Sequence, residues 1–185
     1  MRELATAAAV ERFMRALGAV AEHEGSCYLA GGATAVLLGW REATVDIDIA
    51  LEPEQDAALR ALPKIKDELR VNVELASPRE FIPLPQGWRE RSVSAGREGR
   101  LSFFHFDPYS QALAKLERGH ARDLEDVRAL LDLGLVERAR LGASFEEIEP
   151  ELYRFPAIDP AAFRKRMEAA RNLDRGFDPE PGFEL

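Results

Sequence analysis

The segment 44–51, with the sequence TVDIDIAL, constrains the fold more than any other because apolar and acidic residues alternate along it. Alternation with a period of two is typical of a β-strand that buries one face. Asp46 and Asp48 are therefore expected on one face, while Ile47 and Ile49 point into the core. Two carboxylates side by side repel each other. The strand thus predicts either a solvated edge face or a bound cation that neutralises both charges.

Hydrophobic periodicity, with glycine and proline at the boundaries, divides the rest of the chain into elements. We expect further strands over 27–30, 70–75, 91–95 and 101–106, with a turn in the segment AGREGR between the last two. We expect helices over 4–23, 33–40, 54–69 with a break or kink near Pro63, 108–118, 122–133, 135–141 and 160–173. Asp107 and Asp159, each followed by proline, are predicted N-caps.

Strands in the first hundred or so residues, followed by helices, indicate the α+β class, with a mixed sheet of four to five strands. We expect residues 1–106 to form the core that carries the sheet. Residues 107–175 are predicted to be a helical C-terminal part that packs on this core, and residues 176–185 a tail.

Charge and cysteine content exclude several classes of function. Acids outnumber bases 33 to 25, for a net charge of -8, which disfavours broad binding to nucleic acid or to an anionic membrane. The single Cys27 excludes an intramolecular disulfide and a cysteine-based zinc site. We find no signal peptide and no apolar run long enough to span a membrane, so the expected location is the cytoplasm.

A glycine pair lies between a predicted strand and a predicted helix. The backbone N–H groups of Gly31 and Gly32, at the start of a helix, are suited to holding a phosphate, although the pair could also form a plain tight turn. Thr34 could add a hydroxyl to such a site. Arg41, shortly before the acidic strand, could reach a triphosphate or simply balance Glu42.

A third acid follows in the strand RVNVEL, where Glu74 and Asn72 share a face. If this strand neighbours the first acidic strand, Glu74 can join Asp46 and Asp48 at one site. Carboxylates with open positions for phosphate oxygens are typical of Mg²⁺ sites, and three acids fit two metal ions that bridge a phosphoryl group. The alternative is again a solvated strand face.

The glycine pair that opens a helix, the Asp-x-Asp strand and the later carboxylate together resemble the nucleotidyltransferase superfamily of polymerase-beta type. The stretches LAGGATAVLLGWREATVDIDIAL, VNVELASP and DPYSQALAKLERGHARDLEDVRALL resemble a family of small bacterial nucleotidyltransferase-like proteins related to AbiEii-type toxins. This resemblance implies that Asp46 and Asp48 bind Mg²⁺ or Mn²⁺ and that Glu74 is the third acid. It also implies that Gly31 and Gly32 form the phosphate loop.

The same resemblance implies that Lys115 contacts phosphate and that Arg122, Asp123 and Asp126 have positioning roles at the active site. From the residues alone, Lys115 could instead be a surface residue whose stem packs on apolar neighbours. Asp123 could be a first-turn helix charge, and Arg122 with Asp126 a surface ion pair.

The implied activity is metal-dependent transfer of a nucleotide from an NTP to a hydroxyl of RNA (tRNA among them), protein or a small molecule. A toxin–antitoxin pair is one implied context, with a cognate antitoxin protein as partner. The alternative is a catalytically inactive module of the same fold that binds a nucleotide or a partner protein. Nucleotide-dependent stabilisation without turnover would favour that alternative.

Overall fold

The computed structural model describes residues 3–172, in which helices flank one five-stranded sheet. The predicted end of the last helix at residue 173 and the predicted tail lie outside the described residues. The strands are β1 (Gly25–Ala30), β2 (Asp46–Glu52), β3 (Asn72–Leu75), β4 (Val93–Glu98) and β5 (Leu101–His105). The helices are α1 (Ala7–Val20), α2 (Gly31–Leu37), α3 (Asp56–Leu69), α4 (Trp88–Arg91), α5 (Pro108–Arg118), α6 (Ala121–Asp132), α7 (Arg138–Ile148) and α8 (Pro160–Arg171), with short 3₁₀ segments at Pro78–Glu80 and Glu149–Arg154.

The strands are arranged in the order β3-β2-β1-β5-β4. The pairs β1–β2 and β4–β5 are antiparallel, whereas β1–β5 and β2–β3 are parallel. This mixed sheet confirms the predicted α+β class. It also confirms that the two strands carrying the acids are direct neighbours.

One face of the sheet is covered by α1 and α3. The side chains of Ile47, Ile49 and Leu51 on β2 point to this face and are buried, as their alternation with polar residues predicts. They pack with Phe13 of α1 and Ile65 of α3 in a single apolar cluster. Burying a side chain of this size contributes about 1.5–3 kcal/mol. This burial therefore fixes the register of β2 and turns its acids to the opposite face.

Two helices begin side by side at one end of the strands because β1 and β5, which are neighbours inside the sheet, run parallel. β1 leads directly into α2, and β5 leads through Phe106 and Asp107 into α5. The backbone N–H of Phe106 donates to the carbonyl of Leu29 at 2.8 Å, which extends the pairing of the two strands to this end. The start of α5 therefore lies next to the glycine pair that opens α2.

The predicted N-caps are confirmed. The buried carboxylate of Asp107 accepts hydrogen bonds from the backbone of Tyr109 and Ser110 and a two-pronged ion pair from Arg91, with both nitrogen–oxygen distances 2.9 Å. Asp159 caps α8 in the same way. The side chains of α5, α6, α7 and α8 pack together in a second apolar cluster. Within residues 3–172, no helix has the length and apolar character needed to cross a membrane.

Three local predictions are wrong. α3 is not broken at Pro63, whose exposed ring faces away from the core while Leu62 and Ile65 stay buried, and the alternative of a kink stays a prediction. Proline removes one helical hydrogen bond, and the burial of the neighbouring face outweighs that loss. The helix predicted over 135–141 lies at Arg138–Ile148 because Leu135 and Val136 still close the preceding helix through the carbonyl of Leu130.

The predicted turn of AGREGR is the third difference, since β4 extends to Glu98 and only Gly99 and Arg100 form the turn. The pairing register shifts between Ser94 and Gly96, where a bulge forms. Gly96 takes a φ of 127° there, which few other residues adopt. The short helix α4 was not predicted. It includes Arg91, the first residue of the strand expected over 91–95, so β4 begins at Val93.

Candidate active site

Four polar side chains of β2 and β3 share the face of the sheet opposite α1 and α3. Asp46 is paired in register with Asn72, and Asp48 with Glu74. The side-chain amide of Asn72 donates to Oδ1 of Asp46 at 2.5 Å and to Oε1 of Glu74 at 3.2 Å. Asp46 and Asp48 are partly buried, and Glu74 is exposed. The structure therefore brings the three predicted carboxylates together on one surface.

The carboxylate of Asp48 is affected by two negative and two positive side chains. Its pKa is raised from 3.8 to about 6, mainly by burial and then by the charges of Asp46 and Glu74. The positive charges of Arg118 and Lys115 lower the pKa by a smaller amount. The ionised carboxylate is therefore held in an unfavourable environment that an additional cation would relieve.

The glycine pair is required for close approach to the acidic strand. Gly31 has a φ of 55°, and a Cβ atom at this position would overlap Oδ2 of Asp48. A Cβ atom on Gly32 would overlap the hydroxyl of Thr44, just before β2. Larger residues would thus push the turn away from the carboxylates.

The backbone N–H of Gly31, which the sequence suggested as a phosphate donor, is already bonded within the protein. It donates to Oε1 of Gln111 on α5 at 2.9 Å. A role of Gly31 in phosphate binding stays a prediction, and it would require this hydrogen bond to be exchanged.

Thr34, also predicted to contact phosphate, has an internal role in the structure. Its hydroxyl is buried and donates to the carbonyl of Leu29 at 3.1 Å. Its oxygen also lies 3.5 Å from Nε2 of Gln111 and 3.3 Å from Nδ1 of His105. A contact with phosphate would have to break this buried network, so the structure gives the predicted role no support.

A buried group of charges lies on α5 and α6. Nζ of Lys115 is 2.5 Å from Oδ2 of Asp126 and 3.5 Å from Oδ1 of Asp123. The side chains of Lys115 and Asp126 are only 7% and 1% exposed. Arg118 contacts Asp123 at 2.7 Å. Lys115 is therefore not a surface residue, and three of the residues named by the resemblance are in direct contact.

Asp126 also connects α6 to the segment that follows α2. Its carboxylate accepts hydrogen bonds from Nη2 of Arg41 at 2.6 Å and from the indole N–H of Trp40 at 3.0 Å. Arg41 thus pairs with Asp126, an arrangement that neither sequence alternative foresaw. The side chain of Arg122 is exposed, and its carbonyl lies 3.5 Å from Nη2 of Arg41. Asp126 therefore neutralises Lys115 and Arg41 in the interior instead of forming the surface pair with Arg122.

Two residues of the site were missed by sequence reasoning, namely Gln111 and Arg118. They lie four positions before and three positions after Lys115, which places all three on one face of α5. The helical period would have identified them once Lys115 was chosen. Arg118 is 44% exposed, so a charged ligand can reach it.

The residues present suit a metal ion bound by two carboxylates. Carboxylate oxygens are the ligands that Mg²⁺ and Mn²⁺ prefer, and Mg²⁺ is usually held by one or two carboxylates together with substrate phosphates. Asp46 and Asp48 supply such a pair. Among residues 3–172, no group of three or more His, Cys, Asp or Glu side chains is arranged to hold a metal ion. Asp46 and Asp48 by themselves have the chemistry of a two-carboxylate site, and the metal-binding role of Glu74 stays a prediction.

Comparison with known proteins adds one finding. A family model described as nucleotidyltransferase of unknown function (DUF6036) matches residues 8–151, which is more than three quarters of the chain. The match includes the glycine pair, both acidic strands and the charged group on α5 and α6. No curated protein and no solved structure matches the chain significantly.

Proposed function

The chain belongs to this nucleotidyltransferase family, and from that premise we propose that it transfers a nucleotide from an NTP to an acceptor hydroxyl. One observation carries the proposal, namely the position of Asp48. Its carboxylate has Asp46 and Glu74 on its own sheet face and the charges of Lys115 and Arg118 close by. Acids that bind a cation, placed beside bases that bind phosphate, are what phosphoryl chemistry requires.

Asp46 and Asp48 would hold a divalent cation, Mg²⁺ or Mn²⁺. When bound, the cation would neutralise the phosphate oxygens and lower the pKa of the attacking hydroxyl. The carboxylates suit this role because the cost of holding two negative charges together is relieved as the cation binds.

Arg118 and Lys115 would bind the triphosphate from the α5 side. Arg118 is exposed, and its planar guanidinium can donate two hydrogen bonds to a phosphate. Lys115 is buried on the same helix and adds a positive charge. Asp126 would keep Lys115 in place, and Arg41 would support that arrangement through the same carboxylate. Asp123 and Arg122 would help to position this group.

Glu74 would accept the proton of the acceptor hydroxyl. It is exposed on β3, at the edge of the sheet, where an acceptor can approach. The hydroxyl oxygen then forms a bond with the α-phosphorus, the bond from this phosphorus to the bridging oxygen breaks, and pyrophosphate leaves with that electron pair. Orienting the reactants and neutralising charge would supply most of the rate enhancement.

The acceptor is proposed to be a hydroxyl of RNA (tRNA among them), protein or a small molecule. The net charge of -8 favours an acceptor that docks locally over one held by broad electrostatic attraction. A relationship to AbiEii-type toxins, a cognate antitoxin partner and a cytoplasmic location belong to the same proposal. Residues 1–106 would supply the metal ligands, and residues 107–175 would supply Lys115 and Arg118.

The proposal is tested by incubating the protein with each α-³²P-labelled NTP, Mg²⁺ and total cell RNA or protein. We expect the label to be transferred to one fraction by the wild type and not by the double variant Asp46→Ala, Asp48→Ala. The variant Asp132→Ala, which removes an exposed carboxylate at the end of α6, is the control and should retain activity. Equal transfer, or none, by all three proteins would refute the proposal.

A second candidate is a non-catalytic module that binds a nucleotide. It is favoured by the hydrogen bond between Gly31 and Gln111, because a nucleotide bound without this amide would lack one of the donors proposed to orient its phosphates for transfer. This candidate predicts that an NTP raises the melting temperature of the protein, while no label is transferred and no pyrophosphate is released. Transfer of label by the wild type would rule it out.

A further inference from the structure

Gln111 connects the glycine turn to the start of α5. Its side chain is 3% exposed. Its oxygen accepts the N–H of Gly31 at 2.9 Å, and its amide nitrogen donates to the carbonyl of Phe106 at 2.7 Å. The same nitrogen lies 3.5 Å from the hydroxyl of Thr34. One side chain therefore bridges the first residue of α2 and the segment that joins β5 to α5.

The hydrogen bonds around Gln111 form a consistent set. The hydroxyl proton of Thr34 is directed to the carbonyl of Leu29, so the oxygen of Thr34 is left to accept. It accepts from Gln111 and also from His105, whose Nδ1 must then carry the proton. Burial lowers the pKa of His105, in keeping with a neutral ring. A buried polar network in which each donor meets an acceptor is rigid.

Gln111 and Lys115 both lie on α5, so the helix fixes the distance between them. Gln111 and Lys115 are four residues apart, which is about 6 Å along a helix. Gln111 holds Gly31, and Gly31 lies against the carboxylate of Asp48. Lys115, one turn further along, supplies a positive charge that acts on the same carboxylate. The distance between the acids and the bases thus depends on the contact between Gln111 and Gly31.

We propose that Gln111 is a positioning residue that holds the Gly31 turn against α5, and so keeps Asp48 and Lys115 at the separation that NTP binding needs. The proposal rests on the nucleotidyltransferase function proposed above and deepens it. Gln111 itself would touch neither the metal nor the nucleotide. Its loss would leave the partly buried N–H of Gly31 and the carbonyl of buried Phe106 without this partner and let the turn shift.

The test compares two buried glutamines that are replaced by the same residue. Gln55 is 4% exposed and bridges the backbone of Glu22 and His23 near the opposite end of β2 from the acids. Gln111→Met and Gln55→Met therefore remove similar hydrogen bonds and differ in which end of the sheet they affect. The probes are Mg²⁺ with the α,β-methylene analogue of each of the four NTPs, titrated by calorimetry.

We expect Gln111→Met to weaken binding of the preferred analogue about tenfold, while Gln55→Met stays within twofold of the wild type. Amide hydrogen exchange of residues 31–34, measured without nucleotide, should be faster in Gln111→Met and unchanged in Gln55→Met. If Gln111→Met does not fold, Gln111→Asn, whose shorter side chain cannot span both contacts, replaces it with the same expectations.

Binding by the folded Gln111 variant within twofold of the wild type would overturn the positioning role. An equal loss of binding in both glutamine variants would also overturn it, since the effect would then be one of general stability. If the wild type binds none of the analogues, the nucleotide function itself fails. In that case unchanged exchange of residues 31–34 in the Gln111 variant would show that the turn is held without it.

Discussion

Replacing Asp48 with asparagine is expected to stabilise the metal-free protein, although the residue belongs to the candidate site. The pKa of Asp48 is raised from 3.8 to about 6 in the folded state. The folded protein therefore holds this proton more tightly than the unfolded chain does, so stability falls as the pH rises through this interval. Above pH 6 the ionised carboxylate costs about 3 kcal/mol of unfolding free energy. Asparagine has nearly the same shape and carries no charge.

The variant Asp48→Asn should therefore unfold with a free energy about 3 kcal/mol higher than the wild type at pH 7.5, and about half that at pH 5. The attraction to Lys115 and Arg118 is already contained in the net pKa shift. The assay is urea unfolding followed by circular dichroism in EDTA at both pH values. Asp132→Asn, an exposed carboxylate, should change the free energy by less than about 0.5 kcal/mol.

The reasoning is refuted if Asp48→Asn destabilises the protein at pH 7.5, or if its stabilisation does not shrink between pH 7.5 and pH 5. Either result would mean that the carboxylate is stabilised by the folded structure. Added Mg²⁺ should reverse the order, since it should stabilise the wild type and have little effect on the variant.

Two further variants test other parts of the site. Asp126→Ala removes the acid that pairs with partly buried Arg41 and the nearer of the two acids that pair with buried Lys115. It should lower the free energy of unfolding by about 3–5 kcal/mol in urea titrations, while Arg122→Ala should change it by less than about 0.5 kcal/mol. Gly31→Ala should abolish nucleotide transfer in the label assay because the added Cβ overlaps Asp48. Gly39 also has a positive φ but has open space around it, so Gly39→Ala should cost about 1 kcal/mol of stability and leave transfer intact.

The acidic face could be predicted because it depends on a local pattern. Alternation along β2 determines which way each side chain points, and the same holds for Asn72 and Glu74 on β3. Once the two strands pair, in-register neighbours share a face without further information. The caps of α5 and α8 are local in the same sense, because the cap and the groups it binds lie within three residues.

The contacts that assemble the site join distant parts of the chain and could not be read from spacing. Gln111 meets Gly31 across 80 residues, and Arg41 meets Asp126 across 85. The first contact exists because β1 and β5 are parallel, so that α2 and α5 begin at the same end of the strands. The second joins the segment after α2 to α6, which packs with α5 in the second apolar cluster. Strand order of this kind is decided by packing of the whole sheet. The sequence therefore indicated which residues are chemically suited to the site, but not which of them touch.

The role of the glycine pair also depends on contacts between distant segments. A glycine pair before a helix suggested backbone donors for phosphate, and the structure shows a close approach of Gly31 to Asp48 and of Gly32 to Thr44. Both explanations require glycine, so the residue type alone does not distinguish between them. The position of the neighbouring strand does.

Paramagnetic broadening tests most directly whether the acids of β2 and the bases of α5 form one nucleotide site. Mn²⁺ with an α,β-methylene NTP analogue would be added to the ¹⁵N-labelled protein and amide signals recorded. We expect the signals of residues 46–48 and 115–118 to broaden together, while that of Gln55, beyond the opposite end of β2, does not. Broadening confined to one of the two segments, or lying elsewhere in the chain, would contradict it.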